Sequence, residues 1–151
     1  MADMDEATAR RLFTTARLAR LATAGADGMP HLVPVTFALD GGDVVWAVDA
    51  KPKTTTALRR LRNIAAQRGV CLLVDHYDED WSMLWWVRAD GDASVAGAGQ
   101  DTSAVAALVA KYSQYARTPP EGPVVRVRVR TWRGWSATPQ AIQQSQRSQQ
   151  G

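Results

Sequence analysis

The sequence is poor in the residues that build metal centres and disulfides. It contains one cysteine, Cys71, and two histidines, His31 and His76, which lie far apart in the chain. A lone cysteine cannot form an intrachain disulfide, and these three residues cannot supply the four ligands of a structural zinc site. The single cysteine suits a cytoplasmic protein. Its apolar neighbours predict that Cys71 is a small buried core residue.

Long apolar runs and several well-known catalytic signatures are also missing. No run approaches the roughly 20 apolar residues that cross a bilayer, and the acidic N-terminus does not resemble a secretory signal. The chain has no glycine-rich dinucleotide fingerprint, no P-loop and no Gly-x-Ser-x-Gly elbow. If the protein is an enzyme, we therefore expect a cofactor to carry the reaction.

The clearest positive signal is the segment Lys51-Pro52-Lys53-Thr54-Thr55-Thr56, between a predicted strand at 43–49 and a predicted helix at 56–67. The first turn of a helix has free N–H groups and the positive end of the helix dipole. Lysines and hydroxyls at such a helix start favour binding of a phosphate, and we predict a phosphorylated cofactor there. Helix caps and solvated turn residues would give the same pattern without a ligand.

The distribution of charge favours a small anionic ligand. The net charge is +3, and residues 51–68 carry six basic residues and no acidic one. An acidic turn at 75–80 follows directly. A local basic patch beside an acidic turn suits a small anion better than a nucleic acid, which requires a continuous basic stripe.

Apolar periodicity predicts a mainly β protein with helices, an α+β fold. Helices are expected at 5–16, with Asp5 as the cap, at 56–67 and at 101–116, and strands at 17–24, 29–39, 43–49, 70–76, 81–95 and 124–132. Hairpin spacing indicates an antiparallel sheet of six strands that curls into a barrel. We expect a kink at Gly91. We also expect one domain over residues 1–138 and a disordered Gln/Ser-rich tail over 139–151.

This order of elements resembles the flavin-binding split-barrel family, which includes the pyridoxamine 5'-phosphate oxidase-like (PPOX class) proteins. Three pieces are similar to the actinobacterial branch that uses the deazaflavin coenzyme F420: residues 20–23 with 28–35, residues 51–55 with 61–63, and residues 80–82. The resemblance implies a six-stranded split barrel of the FMN-binding type. It also implies a homodimer with the cofactor at the subunit interface, and hydride transfer from reduced F420 to an electron-poor small organic acceptor.

The resemblance further implies which residues would hold the cofactor. Those at its phosphate would be Lys51, Lys53, Thr54 and Thr55, with Asn63 near the ribityl chain or phosphate. Those along the ring would be Val33, Pro34 and Val35, with backbone groups bonded to its pyrimidine edge. Those closing the pocket from the second subunit would be Trp81, Ser82 and one of Trp85 and Trp86, which point to opposite faces of a regular strand. No side chain is required as a catalyst, since solvent or His31 can supply the second proton.

Three alternatives remain open from the residues. FMN shares the ring, ribityl chain and phosphate, although the basic helix face of Arg59, Arg60 and Arg62 favours the more anionic tail of F420. A flavin or deazaflavin carrier or sensor would bind the cofactor without turnover. A nucleic-acid-binding barrel would use the basic outer face of strand 124–132, but that strand lacks interleaved exposed aromatic residues for base stacking.

Overall fold

The structure is a computed structural model, which describes residues 2–48 and 55–147. The strands in this part of the chain are β1 (Ala2–Asp3), β2 (Ala19–Ala24), β3 (Pro30–Val35), β4 (Ala38–Asp40), β5 (Asp43–Ala47), β6 (Gly69–His76), β7 (Trp85–Ala96) and β8 (Val124–Ser136). The helices are α1 (Glu6–Thr15), α2 (Thr55–Ala66), α3 (Thr102–Lys111), α4 (Ser113–Arg117) and α5 (Pro139–Arg147), and a 3-10 turn covers Trp81–Met83. The expected α+β class is confirmed.

The strands form one antiparallel sheet in the order β3-β2-β6-β7-β8-β5-β4, with β1 paired to the end of β8. The two end strands, β3 and β4, are not paired with each other among the described residues, so the sheet is open. The predicted count of six strands is wrong, because β1 and β4 were not expected as separate strands. The predicted strand 29–39 is interrupted at Phe37, whose backbone N–H and C=O both bond the Tyr112 hydroxyl, at 3.1 and 2.9 Å.

Alternating side chains build the core beneath this sheet. On β6, Val70, Leu72 and Val74 are buried in the main apolar cluster. Helix α1 closes the cluster with Phe13, whose ring lies 4.8 Å from that of Phe37. The predicted Asp5 cap of α1 is confirmed by a 2.7 Å hydrogen bond from the Thr8 N–H to the Asp5 carboxylate.

Strand β7 is the long central strand, paired with β6 on one side and β8 on the other. Its register against β8 shifts between Asp90 and Gly91, which confirms the predicted kink. A side chain at Gly91 would overlap the backbone carbonyl of Arg128, so only glycine allows this close approach of the two strands.

The prediction of a disordered tail over 139–151 is wrong for residues 139–147, which form α5. Ala141 is buried and Ile142 packs against the main core. The Trp85 indole N–H donates to the Ser145 hydroxyl at 2.7 Å. The Gln/Ser-rich composition did not indicate a helix, because the segment has few apolar residues. Those few share one face, so the helix is amphipathic and packs against the core.

A single arginine joins three elements on the other side of the sheet. Arg126 of β8 donates to Asp40 of β4 at 2.6 Å, to Asp43 of β5 at 3.0 Å and to Asp101, the cap of α3, at 3.0 and 3.1 Å. These partly buried contacts raise the pKa of the guanidinium, through its hydrogen bonds to Asp101 and then Asp40. The expected exposed basic face therefore does not include Arg126.

We predict that Arg126→Gln destabilises the fold by about 2–3 kcal/mol, because three partly buried carboxylates lose a charged donor. The free energy of unfolding in urea measures this loss. The matched control is Arg128→Gln, which removes the same charge from an exposed position of the same strand and should change stability by less than about 0.5 kcal/mol.

Arg126→Gln should also change how the free energy of unfolding depends on pH in the acidic range. The pKa of Asp101 is lowered chiefly by its hydrogen bond to Arg126, and that of Asp40 by Ser103 and then Arg126. Their stabilisation is present above the ordinary carboxyl pKa near about 4 and is lost as pH falls through the lowered values. Arg126→Gln should lose less stability over that range than the wild type. Equal stabilities for the two glutamine variants would contradict the role of this cluster.

Candidate functional site

A cavity of about 470 Å³ lies where β3, β5, α2 and α4 meet. It is lined by Pro34, Val35 and Thr36, by Ala47 and Val48, by Arg60, by Gln114 and Tyr115, and by residues 118–121. We call it the α2 cavity. Its volume lies within the range of small-molecule sites in proteins.

The chain brings these residues together for local reasons. Strand β3 is an edge strand in the described sheet, so part of its backbone has no strand partner and faces the cavity side. Strand β5 ends at Ala47, and the Val48 N–H turns to the Pro123 carbonyl at 2.9 Å. The cavity therefore lies at the end of β5, the strand that precedes the segment where a phosphorylated cofactor was expected.

Two polar side-chain atoms of the described residues are buried without a hydrogen-bond partner: Nε of Arg60, which lines the cavity, and Nδ1 of His31, on β3. Burial lowers the pKa of the Arg60 guanidinium. The pKa of His31 is lowered first by burial and then by the positive charges of Arg59 and Arg60. Because a lowered pKa favours the neutral imidazole, His31 adds little positive charge of its own at pH 7.

Asn63 fixes α2 onto the sheet. Its side-chain amide is buried and donates to the hydroxyl of Thr23 on β2 at 3.1 Å. A side chain at Gly25 would lie 2.7 Å from the Asn63 amide oxygen, so the turn after β2 also lies close to this residue. The contact of Asn63 with a cofactor stays a prediction.

The structure separates the residues predicted along the cofactor. Pro34 and Val35 line the α2 cavity, whereas Val33 packs against the main core. Lys51, Lys53 and Thr54 lie outside the described residues. Thr55 is described only as the first residue of α2.

Trp81 and Ser82 lie on the 3-10 turn before β7, and Trp86 lines a second concave surface. This groove, of about 570 Å³, crosses the outer face of β2, β6 and β7, and we call it the outer groove. Its lining includes Leu32, Cys71, Tyr77 and Trp86. Trp81 is 68% exposed on the 3-10 turn, and Ser82 is exposed and bonded to Asp80 at 2.7 Å. None of Trp81, Ser82 and Trp86 is among the residues that line the α2 cavity of the same chain.

The outer groove is apolar in its lining but crossed by ion pairs. Arg20 pairs with Asp75, and Arg88 pairs with Asp90, both at 2.8 Å. Cys71 lies between Ala22 of β2 and Asp90 of β7 and is only half-buried, so the prediction of a core cysteine is wrong. On β6 the odd-numbered residues 71 and 73 face outward, away from the buried even-numbered ones. Burial and then Asp90 raise the pKa of the Cys71 thiol.

Helix α4 lines one side of the α2 cavity, which was not expected from the sequence. The predicted helix 101–116 breaks at Tyr112, and the short α4 brings Gln114 and Tyr115 to the end of β3. The Tyr115 hydroxyl lies 3.3 Å from that of Thr36. The only local signal was the pair of tyrosines three residues apart, which a helix places on one face.

Metal and membrane signals are absent from the described ranges. There, no cluster of three or more His, Cys, Asp or Glu residues is placed to hold a metal ion. No helix in the same ranges has both the length and the apolar character that crossing a membrane requires.

A family model described as pyridoxamine 5'-phosphate oxidase matches residues 5–136. The chain belongs to this family. The resemblance seen in the sequence is thus confirmed for the family, and the match does not distinguish the branch that uses F420. Among curated proteins, none matches the chain significantly.

Solved structures share the fold at low sequence identity. A conserved hypothetical protein, Rv2991 of Mycobacterium tuberculosis, has a TM-score of 0.70 and 22% identity, over 89% of this chain and 86% of that one. A protein of Mesorhizobium loti described as FAD-binding has a TM-score of 0.68 and 16% identity, over 88% and 95%. A putative pyridoxamine 5'-phosphate oxidase of Corynebacterium glutamicum has a TM-score of 0.60 and 18% identity, over 88% and 90%.

We predict that Asn63→Ala lowers the free energy of unfolding by about 1–2 kcal/mol, because it leaves the buried Thr23 hydroxyl without its donor. Chemical denaturation measures the change, and Arg62→Ala, at the exposed neighbouring position, is the control. In a double-mutant cycle with Thr23→Ala, we expect a coupling energy of at least about 0.5 kcal/mol. Strictly additive losses would show that the two side chains do not support each other.

Proposed function

We propose that the protein is an oxidoreductase that uses the deazaflavin coenzyme F420, with FMN as the alternative cofactor. The observation that carries the proposal is the α2 cavity, which combines a free strand edge with a positively charged side chain in a member of the pyridoxamine 5'-phosphate oxidase family. When bound, reduced F420 would supply a hydride to an electron-poor acceptor such as a conjugated carbonyl compound.

The residues of the cavity fit such a cofactor. The edge of β3 at Pro34 and Val35 can offer backbone groups to the pyrimidine side of a ring, and the buried Arg60 has an unused donor. The segment at Lys51, Lys53, Thr54 and Thr55 would bind the phosphate at the start of α2. The protein would contribute orientation, exclusion of water, and donors for negative charge that develops on the ring.

The choice of F420 over FMN is supported by charge alone. Arg59 and Arg62 are exposed on α2, and Arg60 is partly buried and lines the cavity, so this helix carries three positive charges, one of them at the cavity. An anionic tail with several carboxylates would gain more from them than FMN would. The description of the Mesorhizobium loti protein as FAD-binding supports the flavin alternative.

We also propose that two chains associate through the outer groove. Leu32 and Tyr77 at this groove are 67% and 63% exposed, and nearby Trp81 is 68% exposed. Exposed large apolar residues grouped on one face are characteristic of an interaction surface. A second copy placed there would carry its own Trp81 and Ser82, which we propose close the cofactor site across the interface.

We predict that the double variant Lys51→Ala/Lys53→Ala weakens binding of F420, or of FMN, by roughly tenfold or more for each lost charge-assisted contact. Fluorescence titration of the purified protein with each cofactor measures the dissociation constants. Arg11→Ala/Arg128→Ala, which also removes two positive charges but from exposed positions of α1 and β8, is the charge-matched control and should leave both constants unchanged.

Binding of both cofactors to the wild type with no preference would argue against the choice of F420. Absence of binding to either would overturn the proposed function as a whole. Tight F420 binding with no reduction of any acceptor in a broad screen would instead favour a carrier or sensor.

We predict that Leu32→Glu converts a dimer of the 16.4 kDa chain into a monomer, because it places a charge in the apolar groove. Light scattering coupled to size-exclusion chromatography measures the mass. Val95→Glu is the control, since Val95 is also an exposed aliphatic residue of the sheet but does not line the outer groove. A wild type that is monomeric at micromolar concentration would contradict the proposed interface.

A further inference from the structure

Arg60 is the one arginine of α2 that turns inward. Arg59 and Arg62 are exposed, whereas Arg60 is partly buried and lines the α2 cavity. Its Nε is fully buried without a hydrogen-bond partner, and no carboxylate of the described residues lies within ion-pair distance of its guanidinium. A buried charged donor without a partner has a free-energy cost, which a bound anion would offset.

The surroundings of Arg60 also favour an anion. Arg59 adds positive charge next to it, and the pKa of His31 is lowered first by burial and then by the positive charges of Arg59 and Arg60. Hydrogen-bonding groups of Gln114, Tyr115 and Thr36 line the same cavity, where they can complete the shell of a carboxylate or phosphate. Glu121 also lines the cavity, but it is exposed and forms no ion pair with Arg60.

We propose that Arg60 binds an anionic group, a carboxylate or a phosphate, of the small molecule that fills the α2 cavity. The planar guanidinium suits either group, since it can donate two parallel hydrogen bonds to a pair of oxygens. This inference rests on the proposed function for the identity of the cavity's ligand. It differs from the phosphate site at Lys51 and Lys53, because Arg60 lies in the second turn of α2 and within the cavity itself.

The test compares Arg60→Gln with Arg128→Gln, which removes the same charge from an exposed position of β8 that lines neither the α2 cavity nor the outer groove. Three sets of probes are used. FMN and riboflavin differ only in the phosphate, and F420 is the proposed cofactor. Cinnamate is a model acceptor, and its neutral amide is the uncharged counterpart. Dissociation constants come from fluorescence titration and calorimetry. We expect Arg60→Gln to weaken at least one anionic probe about 10- to 100-fold, with riboflavin and the amide unchanged. Arg60→Lys should recover part of the loss, because it restores the charge without the planar pair of donors.

The pattern of losses identifies the source of the anion. If Arg60→Gln weakens the binding of FMN or F420 and leaves the binding of cinnamate unchanged, Arg60 contacts the cofactor. If it weakens only the binding of cinnamate, Arg60 contacts the acceptor. Equal constants for the two glutamine variants with every anionic probe would overturn the proposal.

The inference can be tested even if the proposed function fails. If the wild type binds no flavin or deazaflavin, the thermal shift produced by inorganic phosphate is compared in the wild type, Arg60→Gln and Arg128→Gln. A shift lost only in Arg60→Gln supports an anion site at this residue, and an identical or absent shift in all three overturns it. Circular dichroism of Arg60→Gln and Arg60→Lys verifies that both variants are folded.

Discussion

The guanidinium of Arg126 is the interaction on which the cavity side of the molecule depends. It binds one carboxylate from β4, one from β5 and the capping carboxylate of α3, so three chain segments meet at a single side chain. Helix α4 follows α3 directly and forms a wall of the α2 cavity, as does the end of β5. The shape of the cavity therefore depends on an ion-pair cluster that does not itself line it.

The two concave surfaces that carry predicted cofactor residues differ in their chemistry. The α2 cavity is small, contains a positive charge and lies at a strand edge, whereas the outer groove is broad and lined mainly by apolar side chains. Residues expected to meet one cofactor are divided between them: Pro34 and Val35 on the first, Trp86 on the second. Association of two chains is the simplest way for both groups to contact one ligand, which is why dimerisation and cofactor binding belong to one proposal.

Local patterns predicted most of the regular structure. The Asp5 cap of α1 and the strand at β6 were expected from neighbouring residues, and the kink in β7 was expected from Gly91 itself. Long-range contacts account for the errors, since the Tyr112 hydroxyl interrupts β3 from 75 residues away. In the candidate site, Pro34 was predicted because residues 28–35 resemble the split-barrel family. Tyr115 was not, because tertiary packing alone brings α4 to β3.

The six tryptophans of the chain occupy clearly different environments. Trp46 is 1% exposed in the core, and Trp81 is 68% exposed beside the outer groove. A dissolved quencher such as iodide would therefore reach the indole of Trp81 and leave that of Trp46 emitting. Intrinsic fluorescence can thus follow events at the protein surface against a constant internal reference, without any attached dye.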